Sequence, residues 1–185
     1  MSNYHKKLVE TLSDSGSWPD FSRADFMKSL DSAASEAFGK QTLEGYLAAF
    51  LIYQQISEDM VRNVINLGRL YNQAAVFPLE INYKPLDGSK MTFGALLKEL
   101  QVIPHQGSEL SDLCGRLNTL RVQLVHKITL KENLDEIESK CREAVEIYKK
   151  IEVAYEQLED EYRMGLSDYK DRVDEWKVKY EELHE

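Results

Sequence analysis

From Tyr148 to Trp176 an aromatic side chain returns at every seventh position, through Tyr155, Tyr162 and Tyr169. Apolar companions run beside it at Ile137, Ala144, Ile151 and Leu158, then at Leu166, Val173 and Tyr180 after a step of four in place of three. A sustained repeat of that period marks a long amphipathic helix with a narrow seam, and the step of four is a stutter that locally unwinds a coiled coil. Thr129-Leu130-Lys131-Glu132 matches a capping box and places the helix start near Leu130. Continued to Leu183, the helix would hold about fifty residues and span roughly 75 Å. That exceeds the width of a compact domain of this size. The helix is therefore expected to project and pair with a partner helix, the alternative being a bend at Gly165 that folds it back.

The rest of the chain also reads as helical. Residues 3 to 12 suit a short amphipathic helix, and Ser13 to Asp20 form a turn-rich loop. Ser22 can cap a helix to about Phe38, where Gly39 supplies a stop. From Thr42 to Ala75 apolar residues recur at three- and four-residue spacing, which predicts a long helix with a kink near Ser57 or Gly68. Pro78, Pro85 and Asp87-Gly88 break the pattern, and Leu79, Ile81 and Tyr83 alternate as in an extended segment. Thr92 caps a short helix, Pro104 to Gly107 link it onward, and Leu110, Leu113, Leu117, Leu120 and Leu124 form the core stripe of a helix from Glu109 to Lys127. The expected architecture is all-α, an up-and-down helical bundle with a long C-terminal helix. Its divisions are a helix and loop over 1–20, a bundle over 21–160 and a helical extension over 161–185.

The charge of −9 argues against nonspecific coating of nucleic acid, which needs a broad basic surface. A local basic site is still compatible with the sequence, because Arg116, Arg121, His126, Lys127 and Lys131 fall within sixteen residues. Two cysteines, Cys114 and Cys141, are too few for a disulfide framework and read as buried thiols in a reducing compartment. The N-terminus lacks the apolar stretch of a signal peptide, and the longest apolar run, Tyr46 to Tyr53, falls well short of a membrane span. A soluble, cytoplasmic protein without membrane contact is expected. No H-E-x-x-H, phosphate-cradling glycine loop, G-x-S-x-G or cysteine/histidine zinc spacing occurs, so neither metal nor cofactor is expected.

One segment pairs a permanent cation with a group that titrates near neutrality: Arg121 and His126 in L-N-T-L-R-V-Q-L-V-H-K. On an ideal helix the two lie about 140° apart, with Arg121 flanking the core stripe and His126 nearly opposite, on a face shared with Asn118 and Val122. A second packing surface is implied there, from the C-terminal helix or from another subunit.

This segment resembles the helix-borne R-x4-6-H signature of the HEPN superfamily, and Thr92-Phe93-Gly94-Ala95-Leu96-Leu97-Lys98-Glu99-Leu100 resembles the helix preceding that signature in several HEPN-like families. The resemblance implies a homodimer in which two Arg/His pairs line one cleft. It also implies metal-independent RNA cleavage of the bacterial toxin or defence type, with a protein antitoxin as a further partner. Arg121 would hold the phosphate, His126 would help activate the ribose 2′-hydroxyl, and Asn118 would orient either group or satisfy a buried contact. Val122 stands where active members carry a polar residue, and Ile128 where modified toxins carry a tyrosine. The rival reading is a noncatalytic helical interaction protein that dimerises, or binds a partner helix, through its heptad-patterned C-terminus. A bland role for Arg121 is an ion pair with Glu99 or Glu132.

Overall fold

The seam of the C-terminal helix is filled from within the chain. The structure, a computed structural model, describes residues 2–21, 23–86, 91–103, 109–126, 128–130 and 133–182, without the side chains at 126, 129, 177 and 179–182. The described helices are α1 (Asn3–Ser13), α2 (Ala24–Gly39), α3 (Leu43–Ala75), α4 (Phe93–Val102), α5 (Glu109–Arg121), α6 (Leu134–Asp171) and α7 (Val173–Glu182). No strand occurs among the described residues. The chain is an all-α bundle with a long C-terminal helix, and none of its described helices is long and apolar enough to cross a membrane.

Helices α3 and α6 are the spine. Tyr148 stacks on Tyr53 at 4.0 Å, Asn63 donates to the Tyr155 hydroxyl at 2.7 Å, and Tyr71 meets Tyr162 and Tyr169 at 5.6 and 5.5 Å. Trp176 closes the series on Phe77, its ring nearly parallel at 4.7 Å. The paired numbers rise together, so α3 and α6 run in the same direction. This follows from the α3–α4 connection, which runs back along α3: Arg69 binds the Lys84 carbonyl, whereas Arg62 reaches that of Met91. Otherwise successive core helices alternate, α5 returning along α6 with Arg116 facing Glu143 at 3.8 Å.

The expectation that the C-terminal helix projects is therefore not met, and neither is a bend at Gly165. Helix α6 is continuous through Gly165, and Leu166, Val173 and Trp176 beyond it are buried. A Cβ at Gly165 would strike the Tyr71 ring, and one at Gly68 would strike Ile103, so both glycines mark close packing inside unbroken helices. The break in the last helix falls later, at Arg172.

Local signals account for most helix ends. Thr42 accepts from the Gly45 amide, and Thr92 from the Ala95 amide, as expected of their hydroxyls. Helix α6 starts later than the capping box implies: Ile128–Leu130 is a 3-10 turn, and Asn133 accepts from the Glu136 amide at 2.9 Å. Residues 131–132, like Ser22 and the linker at Pro104 to Gly107, lie outside the described residues. Helix α2 runs through Gly39, and the left-handed residue of the turn is Gln41 at φ 53°. His5 is buried and bonds the Pro78 carbonyl at 2.7 Å, tying α1 to the return segment.

The α2–α3 corner depends on Gly45, where an added Cβ would overlap the Ala37 carbonyl oxygen. Backbone cannot swing aside as a flexible side chain can. Gly45→Ala is expected to destabilise the fold by about 1–3 kcal/mol, read as a lower midpoint in urea unfolding. A midpoint equal to that of the wild type would show that this corner has slack.

Candidate functional site

The motif helix does not continue as an ideal α-helix. All five stripe residues, Leu110, Leu113, Leu117, Leu120 and Leu124, are buried as expected, but α5 ends at Arg121 and Val122–His126 is π-helical. In that geometry the hydrogen bond spans five residues, so positions five apart lie about one turn apart along the helix. The separation of about 140° expected for positions 121 and 126 on an ideal helix therefore does not apply. The backbone brings them toward one side, although Lys127 and the His126 side chain lie outside what the structure describes.

Arg121 is half-buried, and its charge reaches Glu58 on α3. A carboxylate pair on a helix, such as Glu58-Asp59, ordinarily sits at the surface, but burial lifts the Glu58 carboxyl above the usual range, while the Arg121 guanidinium, then Arg62, draw it back. Gln54, one turn earlier and buried, donates to a Glu58 oxygen. A stripe of Gln54 and Glu58 among apolar neighbours on α3 was the signal that could have identified this group. Glu99, proposed as a partner for Arg121, instead binds Arg69 at 2.8 Å, and Glu132 lies outside the described residues.

Asn118 is half-buried and faces α4, its amide nitrogen 3.7 Å from where a Gly94 Cβ would stand. That contact joins the two segments that carry the family resemblance. Next to Arg121, the Gln123 side-chain oxygen is buried without a protein donor. Val122 and Val125 are 36% and 42% exposed, and Leu130 and Leu134 are 75% and 64% exposed. Among the described residues, the second packing surface implied by the sequence does not cover Val122 or Val125. Among the described residues, no three His, Cys, Asp or Glu side chains gather as a metal site would require.

Chemically, the site offers a half-buried cation within electrostatic reach of a half-buried acid, next to a π-helical turn and an exposed apolar strip. Such a cation can hold a phosphate, and the strip is the kind of surface a second chain covers. No protein-family model, curated protein or solved structure matches the chain.

Proposed function

We propose that the chain is a HEPN-like RNA-associated protein of the bacterial toxin or defence type, cutting RNA as a homodimer without a metal. The observation that carries this reading is the π-helical turn at Val122–His126, which brings the backbone positions of the Arg/His pair about one turn apart. Such turns make up well under 1% of residues and are frequent at functional sites. The exposed strip at Val122, Val125, Leu130 and Leu134 supports the dimer, because a two-fold axis beside it would cover the strip and set two such pairs across one cleft.

In this reading His126 takes the proton of a ribose 2′-hydroxyl, and the freed oxygen attacks the adjacent phosphorus. The 5′-oxygen departs with a proton, leaving a cyclic phosphate. Arg121 holds the phosphate oxygens as charge builds on them. Asn118 locks the motif helix against α4. An antitoxin would act by covering the same strip.

A noncatalytic interaction module is favoured by one observation, that Arg121 already lies within electrostatic reach of an acid of its own chain. Its recognition surface would then be the apolar strip, because the heptad seam from Ile137 to Trp176 is buried internally. The test is incubation of purified protein with single-stranded RNA in chelator. Cleavage that disappears in Arg121→Ala and in His126→Ala supports the nuclease, and cleavage that survives both rules out the site.

A further inference from the structure

Elsewhere in the molecule, a pocket of about 630 Å³ opens between α1, the C-terminal part of α3 and the return segment leading to α4. That volume is ordinary for a small-molecule site. Its wall carries Lys7, Arg69 and Lys84, with the amides of Asn66 and Asn82 and the ring of Tyr83. No carboxylate lines it among the described residues, in a chain with 32 acidic residues against 23 lysines and arginines. The level of Asn66 on α3 lies about 12 Å beyond that of Glu58, at 1.5 Å per residue, so this is a place apart from the Arg121 site.

Arg69 makes the pocket a built feature. It is 8% exposed, its two terminal nitrogens donate at 2.8 Å to the Lys84 carbonyl and to Glu99, and its guanidinium lies over the Tyr83 ring at 5.1 Å. These bonds fix both the cation and the loop that presents Lys84. Its Nε is buried with no protein acceptor, so the fixed cation also carries an unspent N–H there. Glu99 cancels one of the three positive charges, so the wall keeps a surplus of two. A phosphate monoester carries about −1.5 to −2 near neutrality, which matches that surplus better than a single carboxylate does.

We propose that this pocket binds a small phosphate monoester, its phosphate between Lys7 and Lys84 and its polar body against Asn66, Asn82 and Tyr83. The inference does not depend on RNA cleavage. Ribose 5-phosphate, titrated calorimetrically at low ionic strength because the lysines are exposed, is expected to bind more tightly than inorganic sulfate, while ribose is not expected to bind. Lys7→Glu combined with Lys84→Glu should weaken binding by about tenfold or more. Both side chains are exposed, and an unchanged circular dichroism melt would show that the fold is kept. No heat with ribose 5-phosphate, equal binding of sulfate, or undiminished binding by the double variant would each overturn the assignment.

Discussion

A chain ending at Asp160 is expected to lose its cooperative thermal unfolding transition. The deletion removes Tyr162, Leu166, Val173 and Trp176, which are 4%, 0%, 3% and 8% exposed, and uncovers Tyr71 and Phe77 against which the rings pack. Each large apolar side chain contributes about 1.5–3 kcal/mol when fully buried. A domain of ordinary stability has only about 5–15 kcal/mol in all. Were the helix a projecting arm, the same deletion would leave the melting midpoint unchanged and alter only the oligomeric mass in light scattering. That outcome would contradict the packing of α6 and α7 described above.

The second large effect concerns Arg121 and His126. Loss of a general base costs about 10²–10⁴-fold in rate, and loss of a group that stabilises phosphate charge has a similar scale, so either alanine variant should leave little RNA cleavage. Arg121 also acts electrostatically on Glu58, and the two roles separate there. A carboxyl whose folded pKa is raised penalises the fold at pH above that pKa, and the penalty is relieved as pH falls through it. Arg121→Ala removes the main charge drawing Glu58 back and enlarges the penalty. The variant should therefore melt lower than wild type at neutral pH and approach it as Glu58 becomes protonated. Adding Glu58→Gln should restore the melt of Arg121→Ala but not its cleavage. If the double variant regains cleavage together with stability, Arg121 acts only through the fold.

The helices were legible because their signals are local. Threonine caps at Thr42 and Thr92 and the leucine stripe of α5 depend on residues three or four apart, and the structure keeps them. The heptad ladder was equally clear, but its partner was not. A seven-residue repeat states that a narrow seam will be buried, not whether a second chain or a distant helix buries it. Here the partner is α3, about ninety residues earlier, and no local rule links Tyr148 to Tyr53.

The site was legible only in part. Arg121, His126 and Asn118 stand out by residue type, whereas the π-helical turn that changes their angular relation leaves no residue signature comparable to a cap or a proline. Glu58 was missed because a carboxylate beside another on a helix ordinarily faces water, whereas here it is half-buried. Arg69 looked like one cation among many until the return segment wrapped around it.

The central claim is that two copies meet through their motif segments, and chemical crosslinking at Val125→Cys tests it most directly. The native thiols will not interfere, since burial pushes Cys114 up to about 12 and Cys141 up to about 11. With a short bismaleimide, Val125→Cys should run as a covalent dimer, whereas a control at Val153→Cys on the exposed face of α6 should stay monomeric. A Val125→Cys chain that remains monomeric under the same conditions would contradict the shared cleft.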